Sequence, residues 1–392
     1  MRPFLIAAAL ALFAAPAAAQ VAVSTLAPPD YFSLGDRESG LPPDFWAGTS
    51  AALLRDTLPL ISRKPVSPAA TVFAGWVLGG GVAGPEGAGR DPEVAAARVQ
   101  ALLALGQSRT AWAAVERAPN VTTNAALAQA AAEAALVNDQ DDAACRIADD
   151  LTVNRGDLYW LRLRAFCQAR AGQADAAQLT LTLAGEKGRD PVFSRLMGAL
   201  LAGAGDPGAA SLRGGLDYAL SRKLALDLRA AKATASPAVA AVLWPAAPAP
   251  DTEEVTVARS LIASATTTPA LLDTLLDEAD AAPSKARPAL IGRILLLEAM
   301  GGQPGPDARA RLAKADVGKS AASPTLLLAL DRAAGLGLKG EAALAVMLIA
   351  SDAGPAGPGA LDRARVVAAL RKVGLTGAAQ AFAIEGLLVP AR

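Results

Sequence analysis

The sequence predicts an all-α protein: a superhelical body of antiparallel helix pairs stacked side by side, preceded by an irregular N-terminal cap. Three observations carry that expectation. The chain has 392 residues, 53% of them hydrophobic but only 4% aromatic, so its core must be built from small side chains. Such a core suits closely packed helices better than aromatic-rich strands. A turn former recurs every 33 residues, at Gly106, Asp139, Gly172 and Gly205. A capping residue followed by proline opens segment after segment.

The first nineteen residues read as an address. Arg2 is a short basic region, Phe4 to Phe13 an apolar run, and Ala17-Ala18-Ala19 a small-residue cleavage site, so residues 1–19 form a secretory signal peptide removed before Gln20. A retained anchor is the alternative, but the run falls short of the roughly 20 residues that cross a bilayer. No later stretch is long and apolar enough to span, and no Cys stands at the cleavage point. The Ala-rich signal looks bacterial, so the expected location is periplasmic or secreted. In that oxidising space Cys145 and Cys167, 22 residues apart, are expected to form a disulfide. The alternative is two buried thiols; a redox role lacks its CxxC spacing.

Residues 20–90 differ from the rest. Tyr31, Phe32, Phe45, Trp46, Phe73 and Trp76 concentrate the aromatics there. Asp44 is expected to cap a helix from Phe45 to Leu60, punctuated by Pro59, Pro65 and Pro68. Gly79-Gly80-Gly81 opens a glycine-dense loop to Gly89, expected as a hinge before the body.

From Asp91 onward the pattern is helical. Asp91-Pro92, Asp190-Pro191, Asp206-Pro207, Ser236-Pro237, Thr268-Pro269 and Ser323-Pro324 place a cap before a proline whose missing N–H costs nothing at the first helical position. After each turn former comes a polar residue and, five positions on, Ala111, Ala144, Ala177 or Ala210, small enough to let the second helix of a pair approach the first. Ala132, Ala165 and Gly198 stand twelve residues before the last three of those alanines; the first unit has Val99 there. Leu158, Leu161, Ala165 and Ala169 share one face of a helix, leaving Arg162 and Arg164 toward solvent. Each pair hides its apolar face only by stacking on neighbours.

On these residues the stretch from about 95 to 220 resembles the tetratricopeptide-repeat family, in degenerate form: its aromatic positions are mostly Ala or Leu and its closing proline is irregular. Gly337-Leu338-Lys339-Gly340 with Ala342, and Gly374-Leu375-Thr376-Gly377 with Ala379, give a looser echo near 325–390. The resemblance implies a right-handed superhelix and a role in protein binding, and it carries no catalytic residue. Trp244-Pro245 to Pro250 is a linker or a rigid turn. It separates the repeats of 91–245 from a C-terminal hairpin region, 246–392. Helices are expected there over 252–266, 269–281, 285–300, 306–316, 324–335, 340–351, 360–373 and 376–388.

Several chemistries are closed or weak. There is no histidine, hence no Ser-His-Asp or Cys-His system and no imidazole metal site. Thirty-seven basic residues balance 37 acidic ones, which leaves no field for nucleic acid. Gly79-x-Gly81-x-x-Gly84 matches the dinucleotide fingerprint formally, but Pro85-Glu86-Gly87 follows where a helix should open, so it reads as a flexible loop. Asp139, Asp141, Asp142, Asp149 and Asp150 lack the glycine and the twelfth-position glutamate of a calcium loop. The first three suit a helix N-terminus; Asp149 and Asp150 begin the next turn or pair with Arg155 and Arg162. Asp273, Asp277 and Glu278 fall on the solvated side of a helix whose leucines form the buried stripe. No cofactor is expected.

The segment with Tyr31, Phe32, Arg37, Phe45 and Trp46 stays open between docking a partner and capping the array. The expected function is a non-enzymatic scaffold that holds a protein or peptide partner of the cell envelope in a solenoid groove. A cell-wall enzyme or accessory with a superhelical domain is the alternative, as is a subunit of a motility or secretion machine. Oligomeric state is not legible.

Overall fold

The computed structural model describes residues 30–61, 65–204, 206–245, 252–268, 270–318 and 320–388. The expected signal peptide and the stretch from 246 to 250 lie outside the described residues, as do Gly205 and Pro269. Among the described residues the chain forms nineteen α-helices and no strand, with two isolated bridges, Asp36 to Gly80 and Ser50 to Glu86. No helix is long and apolar enough to cross a membrane.

The 33-residue period has a backbone cause. α3 (Pro92–Ala104) turns into α4 (Ser108–Val115), α5 (Ala125–Val137) into α6 (Asp141–Asp150), and α7 (Leu158–Arg170) into α8 (Ala174–Lys187). Gly106, Asp139 and Gly172 sit at these turns with φ of 75°, 61° and 75°. Left-handed backbone favours glycine and tolerates aspartate, which explains the one exchange. In each turn the next amide reaches back five residues: Gln107 N to Leu102 O (2.8 Å), Gln140 N to Ala135 O (2.9 Å) and Gln173 N to Gln168 O (2.9 Å). These bonds close the orphan carbonyls of the first helix. Ala111, Ala144 and Ala177 are fully buried where the paired helices touch. Each second helix also packs on the next first helix.

The fourth unit breaks the expected pattern. After α9 (Pro191–Ala202), capped by Asp190 as anticipated, no second helix follows Asp206-Pro207. The Asp206 carboxylate accepts from Gly208 N (2.7 Å), a local turn that competes with a helix, and Gly208 is left-handed. Ala210 is only half-buried and Gly198 meets nothing within 4 Å. The chain then doubles back. α10 (Gly215–Lys223) packs on α5 and α9, and α11 (Pro237–Leu243) on α3, α4 and α5. Gly215 permits the crossing: a Cβ there would lie 2.9 Å from Leu136 Cβ.

Residues 30–90 are less irregular than expected. They hold α1 (Ala51–Ile61) and α2 (Pro68–Gly79). The first starts six residues later than expected because Gly48, at φ 77°, interrupts any helix from Phe45. The segment from Val72 to Leu78, just before the glycines, lies within helix α2. α1 packs on α3 on one side. On the other it meets α17 (Lys339–Ala353), while α2 touches α3, α4, α17 and α19 (Thr376–Leu388). The N-terminal segment is therefore a wedge between the two helical halves, and one apolar cluster runs through all three. Across that joint the Glu385 carboxylate accepts from Ala69 N (2.9 Å), capping α2 from α19, and also pairs with buried Arg363 (2.7 Å). Phe73 meets Phe382 edge-on at 5.9 Å.

The C-terminal helices lie close to expectation. α12 (Glu253–Thr267), α13 (Leu271–Ala281), α14 (Arg287–Ala299) and α15 (Pro306–Leu312) precede α16 (Pro324–Gly335), α17, α18 (Ala360–Lys372) and α19. Only α15 stops four residues early. Gly337 and Gly374, at φ 71° and 83°, repeat the turn described above, with Leu338 N to Ala333 O at 2.9 Å and Leu375 N to Leu370 O at 2.8 Å.

Candidate ligand cleft on the second helix

The residues singled out in the N-terminal segment separate sharply. Tyr31, Phe32, Phe45 and Trp46 are buried in the core; Arg37 is exposed. Trp46 lies where a Cβ on Gly340 would intrude at 2.6 Å from its ring, so that glycine admits the indole. The four aromatics hold the wedge in place, and none is free to meet a partner.

Cys145 and Cys167 are bonded at 2.00 Å and tie α6 to α7. A bonded pair fits an oxidising location outside the cytoplasm. The acidic group above it is neutralised from within. Arg222 of α10 pairs with Asp141 (2.7 Å) and Asp139 (3.2 Å), and Arg170 with Asp142 (2.9 Å). The expected side-chain pairs of Asp149 and Asp150 do not form as drawn: Arg155 bonds the Asp149 backbone carbonyl (2.7 Å), and Arg162 turns to Asp190 (3.5 Å). Asp273 accepts from Gly305 N (2.8 Å), Asp277 pairs with Arg311 (2.7 Å), and Glu278 faces solvent, so the three carboxylates do not converge. No group of three or more Cys, Asp or Glu among the described residues converges on a metal position.

The glycine-rich loop serves close packing. Asp36 N donates to Gly79 O (2.8 Å) and Gly81 N to Asp36 O (2.7 Å), and a Cβ at Gly81 would stand 2.3 Å from Gly35 O. This brings the segment from Leu34 to Gly40 over the end of α2 and forms one wall of a cleft.

The floor of that cleft is the outer face of α2. Ala69, Val72 and Trp76 lie along it at helical spacing, and Val72 is 68% exposed although its helix is almost wholly apolar. Trp76 is held by its Nε1, which donates to Ser39 O (2.7 Å), and by edge contact with Phe45 at 6.1 Å. Gly75 and Gly79 allow α4 to cross closely, since a Cβ at either would strike Gln107 or Thr110. On the α4 side the recess encloses about 910 Å³ and carries Arg37, Arg109 and Arg117 against Asp36 and Glu38. On the α19 side a smaller recess of about 380 Å³ shares Val72 and Trp76 and is walled by Pro42, Leu375 and Ala378. The two form one trough with a cationic end and an apolar end. Arg109 makes no ion pair among the described residues, and Arg117 meets only its neighbour Glu116, at 3.8 Å.

Sequence reasoning found Arg37 but missed Val72, Arg109 and Arg117. The α2 segment is apolar all round, so no periodicity marks which face stays open. The sequence does not assign the expected solenoid groove to particular helices; in the structure α10 folds back on α5 and α9, and α11 on α3, α4 and α5.

No protein-family model, curated protein or solved structure matches the chain, so the arrangement of its own residues is what bears on function.

Proposed function

We propose that this is a non-enzymatic binding protein of the bacterial envelope, exported by its signal segment, that holds a segment of a partner protein in the α2 trough. The observation that carries the reading is Val72, 68% exposed between walls supplied by α4 and α19. Exposed apolar floor inside a recess, with charged groups gathered at one end, is the usual make-up of a ligand site. The trough suits a segment with an apolar side chain over Val72 and Trp76 and a carboxylate toward Arg109 and Arg117, where a guanidinium fork gives strong charge-assisted bonds. The resemblance to tetratricopeptide repeats supports a protein partner.

The test is a photo-crosslinking residue placed at position 72 in intact cells, with Val257, 58% exposed on α12, as the control position. Position 72 is expected to capture one defined segment of an envelope protein, and Arg109→Glu with Arg117→Glu to abolish that product. Equal capture from position 257, or a product insensitive to the arginine changes, refutes the reading.

A further inference from the structure

A second recess, sharing no residue with the α2 trough, runs between α14 and α18 and encloses about 640 Å³. Its floor is small and apolar: Leu295 and Ala299 from α14, Leu361, Ala364 and Ala368 from α18. Leu361, Arg365, Ala368 and Lys372 follow one another at spacings of four, three and four, so they form a single stripe along α18. Arg365 and Lys372 stand seven residues apart, two turns or about 10 Å along the axis. Both are exposed, and neither pairs with a carboxylate among the described residues. Arg371 leans instead over the end of α14, with Nη1 3.4 Å from Ala299 O. The recess holds one carboxylate, Glu298 on the opposite wall. Apolar surface continues past its end: Leu336 is 63% exposed, and a Cβ on the preceding Gly335 would lie 3.9 Å from Lys372 Nζ.

We infer that this groove docks an acidic amphipathic helix of a partner protein, laid along α18 with two carboxylates two turns apart on Arg365 and Lys372. The walls are two helices with no free backbone edge, so an extended strand would gain no ladder of hydrogen bonds, whereas a third helix can seat its apolar ridge between them. Arg365, Arg371 and Lys372 outnumber the single carboxylate Glu298 around the recess, and the match of a seven-residue spacing with a helix's own repeat fixes register. An anionic bilayer fits less well, because the apolar floor is recessed between two helices, where a flat surface would not reach it.

The probe is a labelled, capped, Ala-based helix with Glu at i and i+7 and Leu at i+3 and i+4, beside a twin carrying Lys for Glu. Fluorescence anisotropy on the full chain is expected to show binding of the Glu peptide, weakened by salt, and at least about tenfold poorer binding of the Lys twin. Arg365→Glu with Lys372→Glu should reverse that preference. These residues are exposed, and circular dichroism checks that the variant folds. Failure of the Glu peptide to bind, equal binding of the twins, or no reversal in the variant overturns the proposal. So does adsorption to phosphatidylglycerol vesicles without peptide binding, which would reassign the groove to a lipid surface. Crosslinking from position 72 reads the other trough, so the two assignments fail separately.

Discussion

The Arg98 guanidinium lies 4.5 Å above the centroid of the Phe32 ring, and its three nitrogens donate to the carbonyls of Tyr31, Leu78 and Gly80. A single buried cation from α3 thereby ties together the start of the wedge and the end of α2. Burial lowers Arg98 to about 10, opposed by Asp30, so it remains charged at neutral pH. Arg98→Ala would strand three carbonyls and open a void, and is expected to cost at least about 3 kcal/mol. Arg98→Lys should recover little, because an ammonium lacks the planar fork that serves three acceptors. Urea denaturation of both variants checks this; a loss below 1 kcal/mol for the alanine, about the worth of a single hydrogen bond, would contradict it.

Ala177 and Ala210 occupy equivalent places in the 33-residue pattern but different environments. Ala177 is fully buried between α7 and α8, whereas Ala210 is half-buried in the turn before α10. Ala177→Phe should destabilise by about 1–3 kcal/mol through overpacking. Ala210→Phe should stay within about 0.5 kcal/mol. Similar losses at both sites would mean that the fourth unit has a second helix after all.

The bond between Cys145 and Cys167 closes a loop of 22 residues. On the loop-entropy estimate it stabilises the fold by about 3 kcal/mol, so reductant or a double Cys→Ala variant should lower the denaturation midpoint accordingly. Mass spectrometry of unreduced protein from its native compartment should find no free thiol.

Glu133 lies under α10, where Gly215 N donates to its Oε2 (2.8 Å). Desolvation raises this carboxyl above its ordinary value of 4.5; the Gly215 amide and Tyr159 hydroxyl pull it down, and nearby Asp217 adds to the rise. A raised pKa in the folded state means that the folded chain holds the proton more tightly than the unfolded chain does. The contribution is full below the unfolded value and is lost as pH climbs through the folded one. Glu133→Gln, which keeps an acceptor for Gly215, should match the parent near pH 4 and exceed it in stability at neutral pH. Denaturation midpoints across that range provide the measurement, and superimposable curves would show that α10 leaves Glu133 open to water.

The helical hairpins were legible because their cause is local. A left-handed turn demands Gly, Asn or Asp, a proline needs a capping residue before it, and a close helix crossing needs alanine. Those demands fall within a dozen residues of one another and leave a period, as at Gly106, Asp139 and Gly172. The fourth unit misled because Gly205, Asp206 and Ala210 satisfy the same pattern while the Asp206 turn and the glycines at 214 and 215 favour doubling back.

By itself the sequence determined the all-α class, the boundaries of the C-terminal helices, the partner of each cysteine and the absence of histidine chemistry. These follow from composition, short-range backbone geometry and the count of groups available. Only the tertiary structure decided that the N-terminal segment is a wedge joined by Glu385 and Arg98 to both halves, that α10 and α11 fold back on α3, α4, α5 and α9, and that Val72 remains open. Those outcomes turn on contacts between residues up to about three hundred positions apart, such as Ala69 with Glu385. Which apolar face finds such a partner is settled by shape and by what else competes for it, and no spacing along the chain records that competition.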